Sequence, residues 1–285
     1  MIMFKGEFLK QLDKDEQLTA AEDEVYEKMR GGKEPGLKEE DFEGIYSRTE
    51  IEGDLELTRK LEKRHDLHTE RGEILEETLR QEIYHACWFG DNCETAQTTK
   101  FDDFVHHTDF VVEWDTDDRI KLAVDTTVTN DMEVIEKKVI KIKNELDRKA
   151  GTTIKYFQSN LTWADNPEKG EVRDIPSVII AFDYDNLKKM CEIITGPGGK
   201  EKLGKTSLQI YILEDIISQL ETQEGYLEKN IPGGSDTNIY KNIDQVKKYL
   251  EEILKNKKES TDIEKGGNIR NEPISEREKI TLSAA

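Results

Sequence analysis

Long apolar runs are missing from this chain of 285 residues. No stretch approaches the roughly 20 apolar residues that a bilayer-spanning helix needs, so no membrane segment is expected. The opening residues Met1-Ile2-Met3-Phe4-Lys5-Gly6 lack the charge, apolar run and cleavage site of a secretory leader. Cysteine is scarce as well. Cys87, Cys93 and Cys191 give no paired framework, and a reducing cytoplasm is expected. There is no excess of basic charge either. With 62 acidic against 42 basic residues the net charge is −20, which excludes nucleic-acid binding by the surface as a whole. A local positive strip stays open. No Ser/His/Asp or Cys/His order is present, so hydrolysis through a nucleophilic side chain is not supported. No internal repeat is present.

What the chain does have is a pair of alternating segments. Residues 107–114 and 120–127 each follow the period-two pattern of a β-strand. Asp115-Thr116-Asp117-Asp118-Arg119 between them is a polar turn short enough for a hairpin. Asp109 then starts the first strand and Asp125 ends the second, and antiparallel pairing brings those ends together. Two carboxylates held close on a sheet repel each other unless a cation or a shared proton intervenes. Leu122-Ala123-Val124 leads straight into Asp125 and implies that it is half-buried, where a lone carboxylate is costly. A strand-end aspartate such as Asp109 also serves commonly as a turn or cap residue.

The flanks predict an α/β arrangement. Residues 69–88 read as a helix with Thr69 near its start and Ile74, Leu75, Leu79, Ile83 and Ala86 as its apolar stripe. Asn130 or Asp131 caps a second helix with Val134, Ile135, Val139, Ile142 and Leu146 inward, stopping at Ala150-Gly151. Residues 152–158 read as a β-branched, aromatic strand, and 101–106 as an additional strand before Asp109.

These residues resemble the PD-(D/E)XK nuclease superfamily over roughly residues 70–160. The resemblance implies a restriction endonuclease-like core of helix, antiparallel hairpin, helix and strand, with added helices. It also implies a divalent-metal-dependent phosphodiesterase acting on DNA or RNA. Asp109 and Asp125 fall on the two acidic positions and would be ligands for Mg²⁺ or Mn²⁺, hard ions that favour carboxylates. The carbonyl of Thr126 is a further candidate ligand. Gly72-x-x-x-Glu76 resembles the helix glutamate of many relatives, which points to Glu76, with Glu77 and Glu82 as competitors. The motif lysine is replaced by Thr127, which has no charge to offer but can hydrogen-bond a water. Some members carry the lysine on the following helix, where Lys137, Lys138 and Lys141 lie; Lys138 or Lys141 would take the role. Glu76 also fits an ordinary solvated helix face, and the lysines fit i,i+4 pairs with Glu133, Glu136 and Glu145. Loss of the motif lysine equally allows a catalytically inactive nuclease-fold protein with a binding or scaffolding role.

Outside the core (69–230), an acidic helical extension is expected over 1–68. Its Leu9, Leu12, Val25 and Met29 pack either on the core or on a protein partner. Residues 177–182 read as a buried strand, 185–194 and 208–220 as helices, and 231–235 as a break. A C-terminal helix over 231–256, centred on 238–255, precedes an expected disordered tail over 257–285. Gly199-Lys200-Glu201-Lys202-Leu203-Gly204-Lys205-Thr206 matches G-x-x-x-x-G-K-[ST] and raises nucleotide binding. The bulky charges inside it and the lack of a strand leading in favour a connector and helix start. Cys87 and Cys93 with nearby His85 do not match a zinc spacing, and the two cysteines are expected to be buried or free thiols. His65 and His68 match no metal spacing, whereas His106 and His107 flank Asp109.

Overall fold

Period-two alternation sorts the side chains of the central hairpin onto two faces, and both faces are covered. The computed structural model describes residues 17–32, 36–63, 69–116, 119–161, 167–260 and 263. Strands β2 (Phe110–Trp114) and β3 (Lys121–Val128) pair antiparallel, with Phe110 opposite Val124 and Val112 opposite Leu122. Those residues and Trp114 join the main core on one face. Val111 and Ala123 face the other way, against Ile154, Phe157, Val172 and Ile175.

Strand β1 (Cys93–Gln97) pairs antiparallel with β2, and β6 (Ser177–Phe182) pairs parallel with β3. The mixed sheet has the order β1-β2-β3-β6. The β3–β6 crossover contains helix α4 (Met132–Asp147) and a second, two-stranded sheet of β4 (Thr152–Gln158) and β5 (Lys169–Ile175). This hairpin supplies the cover of the sheet's second face. Sequence pattern does not single out β1 or β5, since Cys93-Glu94-Thr95-Ala96-Gln97 and Lys169-Gly170-Glu171-Val172-Arg173 hold few large apolar residues.

The expected strand over 101–106 is instead a π-helical turn, Asp102–His106. Its cause is Asp102. Fully buried, this carboxylate accepts N–H bonds from Lys155 (2.7 Å) and Tyr156 (2.9 Å) of β4, and one from the Thr99 hydroxyl (3.3 Å). A strand there would point Asp102 away from β4. Such a turn is rare and recurs at functional sites.

Helix α3 (Glu70–His85) is capped by Thr69, whose hydroxyl accepts from Gly72 N–H at 3.1 Å, and buries Ile74, Leu75, Leu79 and Ile83. Asp131 caps α4 by accepting from Glu133 N–H, while Asn130 takes the Tyr184 N–H instead. Ile135, Val139, Ile142 and Leu146 are buried; Val134 is half-buried. The left-handed residue after α4 is Lys149 (φ 60°) rather than Gly151. Gly151 answers to crowding, because a Cβ there would lie 2.6 Å from the Ile175 carbonyl oxygen.

Helices α5 (Tyr184–Thr195), α6 (Gly199–Gly204), α7 (Leu208–Asn230) and α8 (Asn238–Glu259) complete the core. Helix α7 extends beyond the expected 208–220, with Gln223, Tyr226 and Leu227 buried past that point, and Gln219 and Gln223 hold the sheet edge. Gln219 accepts from Ile179 N–H and donates to its carbonyl, and Gln223 donates to the Ser177 carbonyl. Helix α8 sends Ile239, Ile243, Val246, Leu250 and Ile253 into the main core and runs to Glu259, past the expected start of the tail. Of the tail beyond, only residues 260 and 263 are described.

The N-terminal region packs on the core where it is described. Helix α1 (Ala20–Gly32) buries Val25, and Glu22 forms a buried pair with Arg71 of α3 at 3.2 Å. Met29 packs partly buried beside it, while Leu9 and Leu12 lie outside the described residues. Helix α2 (Arg48–Glu62) sends Ile51 into a cluster with Phe42, Phe101 and Tyr156. Among the described residues no helix is long and apolar enough to cross a membrane.

Candidate functional site

Asp109 comes directly before β2, whereas Asp125 does not end its strand as expected: it is the fifth of the eight residues of β3, which pairing with β6 carries on to Val128. The β2–β3 register, carried one step past Phe110–Val124, sets the two aspartates opposite each other. Asp109 N–H donates to the Val124 carbonyl at 2.9 Å. One carboxylate oxygen of Asp109, Oδ2, accepts from both the N–H and the hydroxyl of Thr126, each at 2.6 Å. Thr126 thus clamps Asp109 against β3. Asp125, only 9% exposed, continues the second-face row begun by Ala123.

Helix α4 brings cations to the same place. Lys138 Nζ pairs with Asp125 Oδ1 and lies 3.5 Å from the Thr126 carbonyl oxygen. One turn on, Lys141 Nζ donates to the His106 carbonyl at the end of the π-helical turn. Lys138 and Lys141 share a helix face by their i,i+3 spacing.

Electrostatics ties these groups together. Burial raises Asp109 to about 7, with the charges of Asp125 and Asp103 adding to it and Lys138 and the Thr126 hydroxyl opposing it. Burial likewise raises Asp125, against the pull of Lys138. Burial would lower Lys138, but Asp125 and Asp109 outweigh it and hold the ammonium above the usual lysine range. Burial pushes Lys141 down to about 8, opposed by Glu145 and Asp125. The same cause takes the His106 imidazole down to about 4, with Lys141 next in effect, so it is neutral at physiological pH.

The donor set suits a hard divalent ion. Asp109 Oδ2 and Asp125 Oδ1 are committed to Thr126 and Lys138, which leaves Asp109 Oδ1 and Asp125 Oδ2 open among the described residues. Two carboxylates whose ionisation is disfavoured by burial and mutual repulsion gain from a cation between them. Mg²⁺ needs no more than one or two carboxylates, with water completing its shell.

Other expected residues stand elsewhere. Among the described residues no three His, Cys, Asp or Glu side chains converge as a metal-binding group, so Glu76 does not complete a triad with Asp109 and Asp125. Its helix lays the apolar stripe on the main-core face of the sheet, opposite the row of Ala123 and Asp125. Glu77 is engaged on its own helix by Arg80 (2.9 Å) and Gln81 (2.6 Å). Glu82 is buried at the contact of α3 with α6, where its Oε2 has no partner and burial raises it to about 7. Thr127 is half-buried two residues past Asp125, opposite Ala181. Asp103, Thr126 and the His106 carbonyl are contributors that sequence reasoning did not assign as the structure has them; for Asp103 the expected strand pointed elsewhere.

The segment matching the phosphate-loop pattern is helix α6 rather than a loop around an anion. Lys205 pairs with Glu201 at 2.7 Å, and the Thr206 hydroxyl donates to the Leu203 carbonyl. Cys87, Cys93 and Cys191 are free thiols; His65 and His68 lie outside the described residues. Compared with models of known families, with curated proteins and with solved structures, the chain matches none.

Proposed function

We propose that this chain is a divalent-metal-dependent phosphodiesterase of nucleic acid on a restriction endonuclease-like core. The observation that carries the reading is the contact of Lys138 with Asp125 beside Asp109. It supplies a cation next to the paired carboxylates where the motif position holds Thr127. The order of elements supports it too. Helix α3, antiparallel β1–β3 and helix α4 follow the order that the resemblance implies, whereas the strand expected next, 152–158, is β4 of the second sheet, and the parallel neighbour of β3 is β6.

Asp109, Asp125 and the Thr126 carbonyl would hold Mg²⁺ or Mn²⁺, which supplies Lewis-acid stabilisation of a phosphate and lowers the pKa of bound water. The chain's own groups then divide the work. Thr126 fixes the orientation of Asp109, leaving Oδ1 outward. Lys138 neutralises part of the carboxylate charge, so that a phosphate oxygen approaches a less negative site. Lys141 holds the π-helical turn through the His106 carbonyl and keeps a second positive charge nearby. Asp109 must lose its proton to serve, so its carboxyl, raised by burial in the metal-free chain, would release that proton as the ion binds.

A second reading rests on the same contact. Lys138 already satisfies Asp125 as an internal ion pair, and an inactive nuclease-fold protein would keep that pair for structure alone. Incubating the purified chain with end-labelled DNA and RNA plus Mn²⁺ separates the two. The enzyme reading expects cleavage that Asp125→Ala abolishes. Cleavage that survives Asp125→Ala contradicts the site, and no cleavage of either polymer favours the scaffold.

A further inference from the structure

A cavity of about 440 Å³ opens beside the start of β3, lined also by β5 and α8. That volume falls within the about 300–1,000 Å³ of small-molecule sites. Neither Asp109 nor Asp125 lines it. Ile120, Val172, Ile175, Pro176 and Val246 supply its apolar wall, and Asn242 and Gln245 of α8 supply amides. Its ionic lining is balanced, with Arg119, Lys121 and Arg173 against Glu168, Glu171 and Asp174.

Four of those six groups neutralise one another. Lys121 pairs with Glu168 at 2.7 Å, and Arg173 with Glu171 at 2.5 Å. Arg119 and Asp174 are left, with no ion-pair partner for either among the described residues. Both are fastened through other atoms. Arg119 N–H donates to the Thr116 carbonyl at 2.9 Å, which leaves the guanidinium open. Asp174 Oδ1 accepts from Gly151 N–H at 3.2 Å, and its backbone carbonyl accepts from the Asn242 amide at 2.8 Å, which leaves Oδ2 open. The same two residues have left-handed backbones, φ 47° for Arg119 and φ 56° for Asp174. Such a φ is uncommon outside glycine, and strain of this kind persists where the surroundings enforce it, often at ligand sites.

A lone anion would satisfy Arg119 but meet three carboxylates, and a lone cation would meet three basic groups. A ligand with one charge of each sign completes both open positions and keeps the balance. Carboxylate fits the fork of a guanidinium with two parallel hydrogen bonds. We infer that the cavity binds a zwitterion of the α-amino acid class with an apolar side chain, its carboxylate on Arg119 and its ammonium on Asp174. This site is independent of the phosphodiesterase reading.

The test is calorimetric titration of the full chain with L-leucine in EDTA, which keeps the outcome separate from any metal site. Leucine should bind with a Kd of about 1 mM or tighter. Arg119→Ala and Asp174→Asn should each weaken it ~10-fold or more, as loss of a charge-assisted contact does. Asparagine keeps the acceptor for Gly151 N–H and tolerates a left-handed backbone, so urea midpoints should match the parent. N-acetyl-leucine, which lacks the ammonium, should bind parent and Asp174→Asn equally weakly. No heat with leucine at about 10 mM overturns the inference. So does leucine affinity unchanged in both variants, or N-acetyl-leucine binding the parent as tightly as leucine.

Discussion

Lys138 of α4 reaches across to β3 and pairs with Asp125, the fifth of that strand's eight residues. Side-chain exposure is 22% for the lysine and 12% for the aspartate, so solvent screens the pair only partly. Removing the lysine leaves a buried carboxylate beside Asp109. Lys138→Met should cost about 2–4 kcal/mol of stability at pH 8, read by urea unfolding. The loss should shrink at pH 5, where Asp125 can take up a proton. A loss equal at both pH values would mean that packing of the lysine stem, and not its charge, matters.

Thr126→Val keeps the N–H bond to Asp109 Oδ2 and removes the hydroxyl bond. A hydrogen bond to an ionised carboxylate contributes about 1.5–3 kcal/mol, so a stability loss near the lower figure is expected. Mn²⁺ affinity should fall roughly 10-fold, because Asp109 loses half its clamp. Unchanged affinity would place the ion away from Asp109.

Metal-free stability should fall as pH rises from about 4 to 7. Asp109, Asp102 and Glu82 are each raised to about 7, burial being the leading cause for all three. The folded chain therefore keeps protons through that window that the unfolded chain has released, and stability present below the unfolded pKa is lost on the way up. A full shift of this size corresponds to on the order of 3 kcal/mol per group. Glu82→Gln should flatten the dependence measured by urea unfolding in EDTA. A variant with the same slope as the parent would show that Glu82 does not titrate in that range.

Asp54→Ala offers the contrasting case of a structural ion pair. Lys155 Nζ contacts Asp54 at 2.5 Å and Glu50 at 2.8 Å, and the Tyr156 hydroxyl donates to Asp54 at 2.7 Å. The network fastens α2 to β4 away from the paired aspartates. Its loss should cost about 1–3 kcal/mol and leave Mn²⁺ binding unaltered. A matching loss of metal affinity would mean that the two regions are coupled.

Much of the frame was readable from the chain, because the responsible residues act locally. Thr69 and Asp131 cap helices by bonding the nearest backbone N–H groups, and the period-two rows of β2 and β3 follow from burial on two faces. Residues whose conformation is decided from afar were not readable. Asp102 turns 101–106 into a π-helix because β4, more than fifty residues on, offers it two N–H groups. Past residue 220, Gln223 holds α7 to β6 by donating to the Ser177 carbonyl, which no helical periodicity announces. At the site, Asp109 and Asp125 were named from residue type and order, and Lys138 and Lys141 from what the resemblance implies. Thr126's grip on Asp109 depends on the register at a single step. Glu76 was chosen by spacing, and its helix packs its apolar stripe on the opposite face of the sheet.

The central claim, a divalent-ion site shared by Asp109 and Asp125, is tested most directly by calorimetric titration of the metal-free chain with Mn²⁺ at pH 6 and pH 8. One equivalent should bind, more tightly at pH 8 because Asp109 is then ionised, with proton release at pH 6. Asp109→Asn and Asp125→Asn should each abolish it. No binding heat at millimolar Mn²⁺ at either pH, or binding that survives both substitutions, would contradict the account.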